Sequence, residues 1–435
     1  MSSPTHEWHR LHPLTPLLRG GRALLLIAAL VGQQGLRQAD QVRPALVGLA
    51  SLAVVAVAVG VGFAVWRTTR YRLTATELQV DSGLLTRRSR RVPLARLQSV
   101  DVVRPVIARV AGLAELRLEV VGGGSSEAPL AYLGEQDAQR LRRSMLALAA
   151  GREEAPEQPA DAVLVQVPTG VLVASALLGP PLVIALLLLA CLLVVGTVSP
   201  SAAVPFGLSI VPAYAGLLAV AVRRVLAEYG FTVAESEDGL RLRHGLLDTR
   251  TQTIPPGRVQ AVRVLEPLLW RRRGWVRVEV DVAGYAGGSE EQAATSALLP
   301  VAPRALAEAL VGRVLGGALP VAAAGVPDRA RWRAPLSARR LRAGLDDRHL
   351  VTTSGVLTTT TDVVPLAKVQ SLRVTSGPWQ QRLGLATLHA DTAGRRLSGG
   401  TARHRDAAEA AALLDELSRR TRGARRLGSV PVPRP

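Results

Sequence analysis

Long uncharged runs and short alternating runs divide this chain between two kinds of structure. From Pro44 to Trp66, 23 residues pass without a charge between Arg43 and Arg67. At 1.5 Å per residue they predict a rod of roughly 34 Å, against a bilayer core of about 30 Å. Between Asp161 and Arg223 lie 61 uncharged residues, twice what one crossing needs. The Thr197–Pro205 stretch, with prolines at 200 and 205, predicts a break into helices at roughly 171–196 and 205–222. A shorter run, Ala23–Leu36, contains Gln33 and Gln34. It is expected to span within a helix at about 17–37, with Arg19 and Arg22 snorkelling; an interfacial helix is the other reading. No signal-peptide cleavage pattern precedes it, so this stretch reads as an anchor.

Elsewhere apolar and polar positions alternate with period two, the pattern of half-buried strands. Leu113–Val120 and Trp275–Val282 alternate cleanly, and Leu385–Asp391 more loosely. Helical spacing follows at 136–149, 303–314 and 406–419. These stretches belong to a repeat. Gly83, Pro93, Gln98 and Gly112 are matched at identical gaps by Gly245, Pro255, Gln260 and Gly274, and by Gly355, Pro365, Gln370 and Gly384. The first two copies begin 162 residues apart and the last two 110. The excess matches the apolar hairpin, which therefore sits inside copy two's spacing. The chain is a tandem array of small β-barrels or sandwiches, each closed by a C-terminal helix.

The expected layout is an N-terminal segment, 1–66, with two membrane helices (about 17–37 and 44–66); domain 1 at 67–150; a linker at 151–170; a transmembrane hairpin at 171–222; domain 2 at 223–315; a flexible linker at 316–335; domain 3 at 336–420; and a basic, disordered tail at 421–435. Arg67, Arg70 and Arg72 follow one span and Arg223 and Arg224 another, while the 197–205 turn carries no charge. By the positive-inside rule the turn faces outward and all three copies face the cytoplasm, beneath the plasma membrane.

Charge changes this picture little. The net charge of +19 invites a nucleic-acid reading, but Lys368 is the only lysine among 53 basic residues. Such a skew toward arginine matches the Ala, Gly, Pro and Val richness and points to composition, so no nucleic-acid partner is expected. One cysteine, Cys191, excludes an intrachain disulfide. His6, His9 and His12 have no neighbouring ligands to complete a metal site, and no catalytic grouping recurs across the copies. The expectation is a non-enzyme with no catalytic residues, metal or cofactor.

The motif Gly83-Leu-Leu-Thr-Arg, then Val92-Pro-Leu-Ala-Arg-Leu-Gln98, then Arg109-x-x-Gly112 resembles the bacterial pleckstrin-homology (PH) domains, also called membrane-flanked domains. Copy two carries Ile254-Pro-Pro-Gly-Arg-Val-Gln260 and Arg271-Arg-Arg-Gly274, and copy three Val364-Pro-Leu-Ala-Lys-Val-Gln370. Three such copies with membrane helices are similar to the multi-pass YdbT-type group. The resemblance implies membrane α-helical segments plus three PH-like domains, a membrane location and no catalysis. Copy three departs by having Gln381 where the others have Arg109 and Arg271, which puts a shared role for that arginine in doubt.

The repeated Gly, Pro and Gln read as structural. The basic residue three after each proline (Arg96, Arg258, Lys368) reads as a solvated face. The candidates for lipid or partner contact are Arg87, Arg88, Arg90 and Arg91, held near the membrane because only Arg67–Arg70 separate Trp66 from the first strand, and the loop with Trp270, Arg271, Arg272 and Arg273. A buried tryptophan under an arginine turn is the plainer reading of that loop; Pro378-Trp379 is its weaker echo. Expected partners are membrane lipids and a protein partner or self-association. The function expected is a scaffold or lipid-surface module, in envelope maintenance or stress defence; the alternative is a transport- or channel-associated subunit whose domains regulate the helices.

Overall fold

A computed structural model describes residues 8–15, 44–83, 87–120, 130–149, 162–236, 239–254, 257–282, 297–317, 322–393 and 399–428. The expected helix at 17–37, Pro255 and residues 429–435 lie outside these. The chain divides into two compact units, residues 1–160 with 247–252, and residues 161–246 with 253–435.

In the first unit, helix α1 (Pro44–Thr68) runs without a charge until Arg67 and delivers the chain directly to strand β2 (Arg70–Leu73). The N-terminal strand β1 (His9–Arg10) pairs with β2, followed by β3 (Glu77–Ser82) and β4 (Arg88–Pro93), in the order β1-β2-β3-β4. Leu11 is buried, and its carbonyl accepts the Trp66 indole N–H at 2.8 Å. The Arg72 guanidinium lies over the Trp8 ring at 4.9 Å. The end of α1 is thereby tied to the β-structure it feeds. A second sheet contains β5 (Leu97–Arg104), β6 (Leu113–Val120) and β7 (Leu130–Gly134), with the short helix α2 (Val106–Val110) between β5 and β6. Helix α3 (Glu135–Ala149) closes the copy, adding Met145 and Ala138 to a core of Leu78, Leu97, Leu116 and Leu118.

The second unit opens with β8 (Ala162–Gln166), which pairs with β9 (Thr232–Ser236), so residues expected as linker form a sheet strand. The hairpin also differs from expectation. Helix α4 (Thr169–Leu177) ends at Leu178–Gly179, and α5 (Pro180–Val198) begins there with proline in its first turn, where no N–H is needed. The stretch expected as one rod is two pieces, because Leu172 of α4 is buried in the core of the second unit. The turn narrows to Ser199, and α6 (Pro200–Glu228) continues through Pro205 and Pro212. Ser209 Oγ donates to the Pro205 carbonyl at 3.0 Å, the kind of local rescue that lets an apolar helix tolerate proline. The helical spans Pro180–Val198 and Val204–Glu228 are long and apolar enough to cross a membrane.

Copy two continues with β10 (Gly239–His244), β11 (Thr249–Ile254), β12 (Val259–Pro267), α7 (Leu268–Arg271), β13 (Trp275–Val282), β14 (Ala297–Pro303) and α8 (Arg304–Leu315). Copy three holds β15 (Ala324–Gly325), β16 (Arg342–Leu345), β17 (His349–Ser354), β18 (Thr358–Pro365), β19 (Val369–Thr375), α9 (Pro378–Arg382), β20 (Leu385–Thr392), β21 (Gly400–Asp406) and α10 (Ala407–Gly428). One seven-stranded sheet runs β14-β13-β12-β18-β17-β16-β15, and a smaller one β19-β20-β21. The expected linker at 316–335 is in part docked: Ala330 is buried and Arg329 pairs with Asp406. The expected disordered tail is helical as far as Gly428, with Thr421 buried.

The repeated residues have physical jobs. All six repeated glycines take positive φ, from 60° at Gly384 to 122° at Gly83, a region costly for residues with a Cβ. Each repeated glutamine occupies a break in strand register, between Leu97 and Ser99, Val259 and Ala261, and Val369 and Ser371. It is the extra residue of a β-bulge, which bends the strand as it enters the second sheet. Pro93 and Pro365 close a strand and start a 3-10 turn. A Cβ on Gly355 would lie 2.0 Å from the Thr358 carbonyl oxygen, whereas one on Gly112 meets nothing within 4 Å. Gly355→Ala should therefore lower unfolding free energy by more than the ~1–2 kcal/mol of left-handed strain expected for Gly112→Ala. Denaturant titration of the two full-length variants in detergent checks the order.

Candidate functional site

The described residues hold no group of three or more His, Cys, Asp or Glu placed to bind a metal. His9 packs its ring against Tyr71 at 5.6 Å, and Cys191 is exposed on α5. What the chain builds carefully is a joint between successive copies.

A strand at a sheet edge leaves N–H and C=O groups unpaired, and another strand is the natural cover. In the second unit β12 pairs antiparallel with β18 from Val262↔Val363 to Pro267↔Thr358. Arg263 donates Nε and Nη2 to the two Asp362 oxygens at 2.6 and 3.2 Å, the bidentate form that fixes register as well as charge. Burial raises the Asp362 carboxyl against the pull of Arg263, while Asp362 raises Arg263 against the burial that would lower it. Two parallel N–H···O bonds are the geometry of a charged pair, and that is the state assigned. From α7, Arg271 Nη2 donates to the Val356 carbonyl at 2.8 Å and to Thr359 Oγ1 at 2.6 Å. Arg340 adds a donor to the same hydroxyl at 3.2 Å. Burial and the neighbouring Arg340 lower the Arg271 pKa. Val351 and Val363 enter the core built by Val262, Val276 and Val278, so the joint shares its interior.

The first unit contains the same joint. Thr249, Arg250 and Thr251 pair with Arg104, Val103 and Val102 of β5, and Arg109 Nη1 donates to Thr249 Oγ1 at 3.3 Å. Thr249 and Thr359 each lie six residues before the repeated proline, and Arg109 and Arg271 each eleven after the repeated glutamine. Position, partner and register coincide. The two arginines share a role after all: each clasps the following hairpin. Gln381, at that place in copy three, turns instead to its own loop, donating to the Ser376 carbonyl at 3.2 Å.

The sequence candidates separate on this frame. Trp270 is 1% exposed, not a surface anchor. Its indole N–H donates to the Ser175 carbonyl of α4 at 3.0 Å, Arg224 lies over its ring at 5.3 Å, and Trp275 meets it edge-on at 6.4 Å. Burial wins here because the N–H has a partner. Arg271 belongs to the joint. Arg272 and Arg273 are exposed, with Arg273 over the Trp275 ring at 5.1 Å. Trp379, thought the weaker echo, is the exposed one at 67%, with Arg382 over its ring at 5.5 Å. Arg87, Arg88, Arg90 and Arg91 are exposed, on or beside β4, the last strand of its sheet.

One constellation had no sequence signal. Glu228, at the end of α6, is 2% exposed and holds Arg224 at 3.1 Å and Arg277 at 2.5 Å; Arg277 also reaches Glu279 at 2.9 Å. Burial would lower the Arg277 pKa, but the two glutamates outweigh it and raise it. Arg224 also donates to the Pro300 carbonyl at 3.3 Å. The helix end is thereby locked to β13 and β14. Only the two-arginine run at 223–224 was visible beforehand, and it read as a topology marker.

Edge-joined sheets, glutamine bulges and closing helices on a chain with membrane-length apolar helices define a membrane-associated protein of PH type. The Bacterial PH domain model matches three times, over residues 23–149, 169–318 and 309–421, and the chain belongs to that family. A relative in Bacillus subtilis (strain 168), named UPF0699 transmembrane protein YdbT, is 23% identical over 265 residues, covering 54% of this chain and 54% of the relative. The match thus spans about half the relative's length. No solved structure matches.

Two outcomes follow. A double-mutant cycle on Arg263→Ala and Asp362→Ala, read by thermal unfolding of the full chain in detergent, should give a coupling of roughly 1–3 kcal/mol. Glu228→Ala leaves two guanidinium groups facing a vacated acid and should cost about 3–5 kcal/mol, a larger loss than either joint variant.

Proposed function

We propose that this protein is a non-enzymatic membrane scaffold, presenting PH-like domains on the cytoplasmic face of the plasma membrane to hold lipid headgroups and a protein partner. The joint supports this reading most. A structure that repeats one edge pairing, one register and one arginine clasp is organised to arrange domains. Orientation rests on the arginines at or just beyond the C-terminal ends of α1 and α6 (Arg67, Arg70 and Arg72; Arg223 and Arg224) and on the uncharged turn at Ser199. Leu268, Leu269 and Leu357 are exposed at the joint, where the Leu268 N–H donates to the Leu357 carbonyl at 2.7 Å. Beside them stand Arg272 and Arg273, the mixture that suits a headgroup region. Envelope maintenance or stress defence is the setting such a scaffold would serve.

The lock at Glu228 favours a second reading, regulation of a transport or channel assembly, because it ties α6 rigidly to β-structure. Against it, residues 180–222 contain no Asp, Glu, Lys or Arg to line a polar path.

A reporter active only outside the cytoplasm, fused at position 155 or 325, should stay silent at both; activity at either overturns the orientation. For lipid contact, a nitroxide on Leu357→Cys in a Cys191→Ser chain should lose exposure to a water-soluble relaxant when anionic lipid replaces zwitterionic lipid in proteoliposomes. Arg272→Glu with Arg273→Glu should abolish that difference.

A further inference from the structure

Both joints place a strand following the glutamine bulge against a strand preceding the repeated proline. β11 and β18 are the accepting strands, and β4 is their counterpart in copy one. Among the described residues β4 ends its sheet, with Arg88, Ser89, Arg90 and Arg91 exposed and Val92 buried. We propose that β4 is also an accepting edge. Its occupant is an acidic strand from a PH-type domain on a separate polypeptide, paired antiparallel in the register of the two joints. The proposal deepens the scaffold reading by naming the partner's chemistry.

The register specifies what the partner carries. In the observed joints, the third residue after the glutamine faces the third before the proline. Arg263 faces Asp362 there, and one step beyond Val102↔Thr251 brings Asp101 opposite Gln252. In β4 that place is Arg90. Opposite charges across a strand pair stabilise it and like charges oppose it, so an acceptable strand has Asp or Glu three residues after its bulge. The threonine that receives the clasp, Thr249 or Thr359, is replaced by Arg87. A partner with arginine at the clasp position would be repelled twice.

This arithmetic argues against a second copy of the same chain as occupant. β19 ends the sheet of copy three among the described residues, so it is this chain's remaining donor-type strand. In the common register it would set Arg373 against Arg90 and Thr375 against Arg88. Arg373 has Asp391 of β20 at 3.2 Å, but β19 itself offers no acid. In the common register β19 is therefore mismatched to β4, which suits a donor carrying an acid at that place.

The test uses the full chain in detergent micelles with Cys191→Ser and Ser89→Cys. The probe is a synthetic peptide of residues 97–103, a donor-type strand with Asp101 at the required place and without Arg104, which would face Arg87; it carries Val102→Cys, which the register puts opposite residue 89. Under reversible thiol–disulfide exchange the peptide should couple to the chain, and an Asp101→Arg peptide should couple roughly three- to tenfold less. Arg90→Asp in the chain should reverse that preference, a rescue that loss of folding cannot imitate. Equal coupling of both peptides overturns the proposal, as does equal coupling to an Arg88→Cys chain, which tests register. If neither peptide couples while a nitroxide at residue 89 is shielded by anionic vesicles, the arginines serve lipid and the proposal fails. The orientation and Leu357 measurements would stand in either case.

Discussion

The constraint behind this architecture is the unpaired backbone edge. Each copy ends its first sheet and begins its second with a strand whose outer N–H and C=O groups need partners. Leaving those edges open invites aggregation. The solution is to let copies cover one another. β18 covers β12, and residues 249–251 cover β5. Among the described residues no strand pairs with the outer edge of β19 in copy three, and that edge is treated differently. Arg425, near the end of α10, donates to the carbonyls of Val369 and Gln370 at the start of β19. That explains why α10 runs for 22 residues where α8 runs for 12. The extra turns carry an arginine to an edge that no strand reaches.

The same economy governs how apolar helices meet the β-structure. A flexible tether would let helix and domain move apart, yet each attachment is fixed by a polar bond in an apolar setting. Trp66 donates to the Leu11 carbonyl, and Trp270 donates to the Ser175 carbonyl. Indoles suit this task because they fill volume and present one directional donor. The acid at 228 adds charge to the second attachment. Two arginines and a second acid surround one buried carboxylate, and removing any partner would leave a buried charge uncompensated. The chain keeps this costly arrangement where α6 enters the second unit.

Much of this was legible in the residues. The alternating runs became strands, the uncharged runs at 44–66 and 171–222 became helices, and the exact gaps between Gly, Pro, Gln and Gly announced copies whose glycines all need positive φ. The glutamine bulges were not legible as such, since bulges are defined by a partner strand and only the spacing was visible. Nor was the break at Leu178–Gly179. Apolarity is the same whether a helix faces lipid or a protein core, and the burial of Leu172 decides the matter through strands up to about 190 residues away. The tryptophan at 270 carried two readings, and the plainer one, burial beneath an arginine turn, is the one the structure shows. Its arginine neighbours suggested a surface, but two of those arginines turn away from it while Arg224, far off in sequence, covers its ring.

The joint was hidden because its evidence lies in a difference between copies. Residues identical in all three copies maintain what every copy needs, a bent strand and two tight turns, and say nothing about relations between them. A residue present in two copies and absent from the last can report on the succession itself. Arg109 and Arg271 each hold the following hairpin, whereas Gln381 bonds within its own loop. The accepting strands obey the same logic at the other end. Where a preceding copy supplies the donor strand, β11 and β18 offer threonines and, in β18, an acid. At the counterpart edge of β4, which no strand covers among the described residues, arginine stands at four of the five positions from 87 to 91. A tandem array therefore records its internal contacts in the differences between its repeats, and the two edges that no strand covers among the described residues are cationic at β4 and met by Arg425 of α10 at β19.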